Sequence, residues 1–270
     1  MVAVKTNTWG KRTKKLKKQV KTVDISGAQV YAICTMNLLG IGTDAKTSKG
    51  IALNVLTGIL YLAPSNEAKV INTCPKASKG CRLSCLFTAG RGAFNSVKQA
   101  RIAKTLRFVN EQEQFMSDLV ADVTSLVKKA TKLGMTPAVR LNGTSDVAWE
   151  KILVNGKSIM DLFPGVTFYD YTKRIERVRD FAAGKMPANY SLTFSKSENN
   201  DAEVAEAVSL GVNVAVVFSK PSFPSTYLGV PVISGDDTDV RFLDPKGVVV
   251  GLKAKGKAKR DTSGFVVVVK

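Results

Sequence analysis

The sequence predicts an α/β protein, because short β-rich runs alternate with segments of helical pattern from residue 137 to residue 252. Alternation of this kind is typical of a parallel sheet with right-handed crossovers. Six such runs, with an earlier one inside 52–64, favour a complete or partial (β/α) barrel of the TIM type. A doubly wound open sheet is the alternative, but the chain lacks the Gly-x-Gly-x-x-Gly turn of a dinucleotide-binding version.

The first half of the chain supplies the earliest strand and two long helices. ALNVLTGILYLAP (52–64) predicts one or two strands that end at Pro64. The helix predicted over 94–110 places on one face the apolar residues Phe94, Val97, Ile102, Leu106 and Val109. Asn110 and Glu113 then form the pattern of a capping box, and Gly134 ends the second helix. The apolar stripe of that helix comprises Phe115, Leu119, Val123, Leu126, Ala130 and Leu133.

The second half repeats strand and helix. The predicted strands are PAVRLN (137–142), VTFYDY (166–171), YSLTFS (190–195), VNVAVVFS (212–219), VPVIS (230–234) and GVVVGL (247–252). Helical or loop segments are expected over 147–162, 173–183 and 201–210. The fold class is therefore a TIM-like barrel with an N-terminal β-rich extension and basic tails.

The composition excludes several kinds of chemistry. The chain has 270 residues and no histidine, which rules out Ser-His-Asp and Cys-His nucleophiles and His-ligated zinc or iron. Acid–base catalysis would have to use Asp, Glu, Lys, Tyr or Cys. No run approaches the roughly 20 apolar residues of a membrane helix, and the N-terminus lacks a secretory signal. We therefore expect an intracellular protein with no membrane partner.

Positive charge is concentrated at the two ends of the chain. The net charge is +18, and residues 1–22 contain eight basic residues and no acidic one. We predict a basic tail over 1–22 and a single domain over 23–270. The two basic runs are Lys11, Arg12, Lys14, Lys15, Lys17 and Lys18, and Lys253, Lys255, Lys257, Lys259 and Arg260. We expect both basic ends to be disordered or loosely attached. They favour contact with the phosphates of DNA or RNA, the alternative being solvated ends that only aid solubility.

Polar side chains follow the predicted strands, at the end where a barrel carries its site. The segment after 137–141 contains Asn142, Gly143, Thr144, Ser145 and Asp146. Carboxylates after the later strands are the candidate catalytic residues, namely Asp170, Glu198, Asp236 and Asp239. Taken singly, such residues are also common as turn and helix-capping residues.

Three cysteines lie on one loop between a strand and a helix. Cys74, Cys81 and Cys85 form the pattern C-x6-C-x3-C within CPKASKGCRLSC. A [4Fe–4S] cluster takes four Cys ligands as a rule, so three would leave one iron open to a small molecule. Zinc held with Cys34 or a carboxylate, and thiols without any metal, are the alternatives. The flanking cations Lys76, Lys79, Arg82 and Arg91 are expected to lower the pKa of the thiols.

The cysteine loop and the strings around it resemble two known groups of proteins. Three Cys after the first strand of a (β/α) barrel resemble the radical S-adenosylmethionine enzymes, although their usual spacing is C-x3-C-x2-C. A bacteriophage family often called gene product 88-like resembles the chain over roughly 50–270. The strings that carry this likeness are TCPKASKGCRLSCLFTAGRG, PAVRLNGTSDVAWE, TFYDYTK, SLTFSKSENN and GVPVISGDDTDVRFLDPKGVVVGLKAKGKAKRDTSGFV.

These resemblances imply a phage protein in the cytoplasm of an infected bacterium. The radical-SAM likeness implies a [4Fe–4S] cluster on the three cysteines and S-adenosylmethionine near residues 142–146. Glu198 would then face the ribose or the substrate.

Three functions remain open on the sequence. The first is a radical-SAM-like enzyme acting on nucleic acid or nucleotides. The second is a nuclease or phosphotransfer enzyme with Mg²⁺ on the candidate carboxylates. The third is a non-catalytic protein that binds DNA or RNA, with zinc or no metal on the loop.

Overall fold

A nine-stranded, mostly parallel sheet forms the centre of the fold in a computed structural model that describes residues 37–42 and 45–269. Residues from 38 onward form one compact unit. The predicted boundary at residue 22, the tail before it and Cys34 lie outside the described residues. The strands are β1 Leu39–Ile41, β2 Val55–Leu60, β3 Thr136–Arg140, β4 Leu153–Val154, β5 Lys157–Ser158, β6 Thr167–Thr172, β7 Tyr190–Ser195, β8 Val214–Phe218, β9 Thr226–Tyr227, β10 Val230–Ser234 and β11 Val249–Lys253.

The helices follow the predicted alternation in most places. They are α1 Ala45–Ile51, α2 Lys79–Leu83, α3 Asn95–Asn110, α4 Gln112–Leu133, α5 Ile159–Leu162, α6 Ile175–Ala182 and α7 Asp201–Ser209. Among the described helices, none is both long and apolar enough to span a bilayer.

The order of the strands is β1-β2-β3-β6-β7-β8-β11-β10-β9. The seven strands from β2 to β10 in this order are parallel to their neighbours, so their carboxyl ends meet at one edge. β1 pairs with β2 and β9 with β10 in antiparallel fashion. Within the described residues no ladder joins β1 to β9, and we find no closed TIM barrel there.

Strands β10 and β11 lie in the sheet in the reverse of their order along the chain, which is one departure from a TIM barrel. In a TIM barrel each strand is followed by a helix that carries the chain to the next position. Residues 235–248 instead form a turn-rich connection whose 3₁₀ turn, Arg241–Leu243, lies on the face of the sheet that carries Val55 and Tyr169. The chain then returns between β8 and β10, where β11 pairs with both.

All four long helices lie on one face of the sheet. Val139 and Leu141 of β3 share a core with Phe108 of α3 and Leu119 of α4. In a second core on the same face, α6 and α7 pack against side chains of β7, β8 and β11. On the other face, Ala138 lies with Val55, Tyr169 and Val240. The short helix α1 also lies on this second face, where Gly50 approaches Val240 and Thr57. The longer helices of a doubly wound sheet would be divided between both faces, which is not the case here.

The buried face of α3 differs from the predicted one. Phe94 is 61% exposed and Val109 is 38% exposed, whereas Arg101, Thr105 and Phe108 are buried. The Thr105 hydroxyl accepts a hydrogen bond from the Ala63 amide at 2.9 Å and donates one to the Arg101 carbonyl. Apolar periodicity missed this face because two of its residues are polar and find partners only in the folded chain.

The predicted stripe of α4 is confirmed, except at its last member. Phe115, Leu119, Val123, Leu126 and Ala130 are buried, and Gly134 ends the helix with φ 65°. Leu133 is exposed. The N-cap residue is Glu111 and makes no side-chain cap, so the predicted capping box at Asn110 is not formed.

The segment 147–162 is not one helix. It forms a 3₁₀ turn at Trp149–Lys151, the hairpin β4–β5 and the short helix α5. Asn155 and Gly156 both have positive φ, as a two-residue hairpin turn requires. The Asn-Gly pair is a local sequence signal for a hairpin, whereas the apolar residues of this segment are also compatible with a helix.

Candidate functional site

A pocket of about 380 Å³ lies at the carboxyl ends of the parallel strands. Its lining comes from the cysteine loop, from the ends of β3, β6, β7, β8 and β11, and from the segments that follow β3, β6, β10 and β11. Its lining includes Cys74, Cys81, Cys85, Asn142, Gly143, Thr144, Ser145, Asp146, Lys173, Ser195, Asp236 and Asp239. All three predicted metal ligands and all five predicted cofactor-binding residues therefore meet in one place.

The short helix α2 holds the cysteine loop in position. Ser78 caps this helix by accepting a hydrogen bond from the Cys81 amide. The Ser78 hydroxyl and the Gly80 amide donate to the two carboxylate oxygens of Glu198, each at 2.6 Å. Burial opposes the charge on Glu198, but these hydrogen bonds outweigh it and lower the pKa of the carboxyl. Glu198 lies behind the loop as a positioning residue and is not among the residues that line the pocket.

Burial favours the protonated form of two of the three thiols. Desolvation raises the pKa of Cys74 to about 11 and also raises the pKa of Cys85. The expectation that the flanking cations lower the pKa of the thiols is therefore wrong for Cys74 and Cys85. Lys76, Lys79 and Arg82 are exposed, where water screens their charge.

The arrangement of the thiols differs from that of a single-ion site. Within the described part of the chain, no group of three or more Cys, Asp or Glu side chains is placed to hold one metal ion. In an iron–sulfur cluster each thiolate binds a different iron, so the sulfurs stand further apart than the ligands of one ion.

The segment 142–146 is fixed by a buried amide. The Asn142 side-chain oxygen accepts hydrogen bonds from the Ser145 hydroxyl, the Val147 amide and the Trp149 indole N–H. A Cβ at Gly143 would lie 2.5 Å from the Tyr61 ring, so only glycine lets this backbone approach β2 so closely. The Thr144 carbonyl accepts from the Cys74 thiol at 3.5 Å, which joins this segment to the cysteine loop.

Asp170 lies below the pocket and supports this segment. Its carboxylate accepts hydrogen bonds from the Asn142 amide at 2.7 Å, the Asn142 side chain and the Tyr190 hydroxyl. Burial raises its pKa to about 7, although Arg177 and these hydrogen bonds act in the opposite direction. Asp170 does not line the pocket.

Asp146 reaches the pocket from a network that the sequence did not predict. It accepts from the Arg177 guanidinium at 3.0 Å, the Thr172 hydroxyl and the Lys173 amide. Arg177 is fully buried and also binds both oxygens of Glu150. A charged residue within an ordinary helix, such as Arg177 in α6, carries no local signal of such a role.

Asp236 and Asp239 line the pocket, and each faces a cation. The two oxygens of Asp239 accept from Arg140, at 2.9 and 3.2 Å. Asp236 binds the Lys255 ammonium and the Lys253 amide, and these contacts outweigh burial and lower its pKa. The four candidate carboxylates are thus distributed over separate networks.

Sequence reasoning missed Arg140, a cationic residue of the pocket lining. Arg140 lies at the end of β3 with its guanidinium 4.7 Å from the Tyr171 ring, and Lys173 donates to Ser195 Oγ at 2.6 Å. A cation in the β-rich run PAVRLN was the available signal for Arg140, since charges are rare inside buried strands.

The C-terminal basic run is part of the folded domain. Lys253 ends β11, Lys255 lines the pocket, and Lys257, Lys259 and Arg260 are exposed on the 3₁₀ turn Gly256–Arg260. The expectation of a loosely attached end is therefore wrong for 253–260. The N-terminal run, Lys11 to Lys18, lies outside the described residues.

Comparison with known proteins gives one match. No curated protein and no solved structure matches the chain. The family model described as gene product 88 matches residues 31–268, which include the cysteine loop and every segment that lines the pocket. The chain therefore belongs to the gene product 88 family, the phage-associated family that its motifs indicated.

Proposed function

We propose that this protein is a radical-SAM-like iron–sulfur enzyme acting on nucleotides or nucleic acid. Cys74, Cys81 and Cys85 would hold a [4Fe–4S] cluster, with S-adenosylmethionine beside 142–146. The observation that carries the proposal is that three thiols and this glycine-containing segment line one pocket at the carboxyl ends of parallel strands. Binding sites of (β/α) proteins are found at that end.

The donor set fits such a cluster. Three cysteines line the pocket, which leaves one iron for a small-molecule ligand. Metal binding also removes the protons that burial otherwise retains on Cys74 and Cys85, since a coordinating thiol is deprotonated. When bound, the cluster supplies single electrons. The residues of the chain supply the position and the environment.

The chain's own side chains are suited to orient a charged organic ligand. Lys173 lines the pocket, and its ammonium would attract a carboxylate. Gly143 and Thr144 line the pocket as well. Leu86, Val217 and Phe265 contribute apolar surface to the lining. Asp146 is oriented by Arg177 and Thr172, so its position is fixed before a ligand binds.

The alternatives receive less support from the geometry. A magnesium enzyme would need several carboxylates to converge, whereas Asp170 and Glu198 lie outside the pocket and Asp239 is bound by Arg140. A closed zinc site would need a fourth ligand near the three thiols. No cysteine of the described residues other than these three can supply one.

Anaerobic purification with metal analysis tests the proposal. We expect iron and sulfide in the protein, with the broad visible absorbance of an iron–sulfur cluster, after purification or chemical reconstitution. Changing Cys74, Cys81 or Cys85 to Ala should remove most of the iron in each case. Cys34→Ala is the matched control and should retain it.

The outcomes separate the proposal from its rivals. Protein that takes up no iron, or that retains its iron after loss of any one of the three cysteines, would contradict the cluster. Retention of zinc that depends on Cys34 would favour the zinc alternative. Equilibrium dialysis with S-adenosylmethionine then tests the cofactor, whose binding should require the loaded cluster.

A further inference from the structure

A second and larger cavity, of about 880 Å³, lies beside the first. Four residues line both, namely Leu86, Gly143, Thr144 and Lys255, so the two spaces share a wall. The remaining lining comes mainly from the turn at 89–92 and the first half of α3. A ligand that reaches past this wall would occupy both cavities.

The charge of the second cavity differs from that of the first. Its lining includes four cations, Arg91, Arg101, Lys104 and Lys255, and none of its described lining residues is Asp or Glu. The first cavity has three aspartates in its lining. The Lys255 ammonium is paired with Asp236, so the cations that would attract an anion here are Arg91, Arg101 and Lys104.

Two of the cations are held in place within the fold. The Arg101 guanidinium lies 4.7 Å from the centroid of the Tyr61 ring and 5.6 Å from that of Phe87, and the residue is only 8% exposed. Lys104 donates to the Leu38 carbonyl at 2.6 Å. Burial lowers the pKa of Lys104 to about 8, despite the opposing effect of Asp122. A bound anion would compensate the desolvation of the Lys104 ammonium.

The backbone around the cavity is also suited to an anion. Ser96 and Val97, in the first turn of the 16-residue helix α3, line the cavity. That turn has no acidic residue, and its N-cap residue Phe94 makes no side-chain cap. The amide groups at a helix N-terminus favour negative charge.

We propose that the second cavity binds phosphate groups of the substrate whose reacting part enters the first pocket. The inference rests on the proposed function for the identity of the bound molecule as a substrate. The chemistry recognised is a phosphate ester, which a mononucleotide and a single strand of nucleic acid share.

Binding measurements on full-length, iron-free protein test the inference independently of the cluster. The probes are ATP and a fluorescently labelled oligothymidylate, and the variant is Arg91→Ala with Lys104→Met. We expect at least about tenfold weaker binding of one or both probes. For oligothymidylate, the slope of log affinity against log salt should also fall by about 1.4 if the variant neutralises two fewer phosphates. The control, Lys129→Ala with Lys132→Ala, removes the same charge from exposed positions of α4 and should bind as wild type does.

Each result has a defined meaning. Weaker binding of ATP assigns the cavity to nucleotides, and weaker binding of the oligonucleotide alone assigns it to a strand. Unchanged binding by the cavity variant, or an equal loss in the control, would overturn the inference. If the double variant does not fold, as shown by circular dichroism, Arg91→Ala alone serves, because Arg91 is exposed. Iron content, measured separately, distinguishes failure of the cluster from failure of this cavity.

Discussion

At the scale of single residues, the polar groups near the pocket divide into those that face it and those that hold it in place. Asp170 belongs to the second kind, since its carboxylate binds Asn142 from below. Sequence reasoning treated it as a candidate catalytic residue because it lies near the carboxyl end of a predicted strand. Its position one residue before Tyr171, which lines the pocket, directs its side chain to the helix-covered face.

The raised pKa of Asp170 predicts a pH dependence of stability. Burial raises the pKa of this carboxyl from its ordinary value of 3.8 to about 7 in the folded protein. The folded state therefore holds this proton more tightly, and the resulting stabilisation is present below about pH 4 and is lost as the pH rises through about 7. In Asp170→Asn this contribution is absent. Chemical denaturation from pH 4 to 8 should show a smaller decline in the free energy of unfolding than in wild type.

A matched control for this prediction is Asp237→Asn, which changes an exposed carboxylate. It should leave the decline with pH as it is in wild type. Identical pH profiles for wild type and Asp170→Asn would contradict the assignment of the raised pKa to this residue.

At the scale of elements, the position of the cysteine loop depends on a close contact of α2 with the C-terminal segment. A Cβ built on Gly80 would lie 2.1 Å from the Ser263 hydroxyl and 2.8 Å from Phe265 Cβ. Glu198 approaches the same point from the segment after β7. The helix that contains Cys81 is therefore located by contacts with residues more than a hundred positions away.

Gly80→Ala should therefore destabilise the protein, although alanine is usually the better helix residue. We expect a loss of about 1–3 kcal/mol, the usual cost of inserting a methyl group into a well-packed site. The free energy of unfolding from denaturant titration measures it. Gly165→Ala is the control, because a Cβ there has no neighbour within 4 Å. Equal stability of the two variants would show that α2 can shift without cost.

At the scale of the whole molecule, positive charge occurs in two different settings. The C-terminal run is folded against the pocket, where Lys255 binds Asp236. The N-terminal run remains a prediction of nucleic-acid contact, since it lies outside the described residues. Cations in these two settings should contribute differently to binding.

Changing Lys14, Lys15 and Lys17 to Gln should weaken binding to duplex DNA without regard to its sequence. The slope of log affinity against log salt should fall by about 0.9 for each phosphate that the variant no longer neutralises. Fluorescence anisotropy over a range of salt concentrations measures both effects. The charge-matched control is Lys128, Lys129 and Lys132 changed to Gln, on α4. If both triple variants bind equally weakly, the tail acts only through net charge.

The sequence by itself determined most strands of the parallel part of the sheet and the grouping of the cysteine loop with residues 142–146. The predicted runs 190–195 and 230–234 coincide with β7 and β10, because β-rich composition and turn residues are local signals. The grouping of the cysteines with 142–146 followed from one rule, that parallel strands bring their carboxyl ends to one edge.

Only the tertiary structure decided the partners of each side chain. The insertion of β11 between β8 and β10, the buried face of α3 at Arg101 and Thr105, and the separate roles of Asp170 and Asp146 depend on contacts between distant segments. Local patterns report which residues are apolar and how they alternate. Whether a buried polar group finds a hydrogen-bond partner, and whether a carboxylate faces a pocket or a core, depends on the packing of the whole chain.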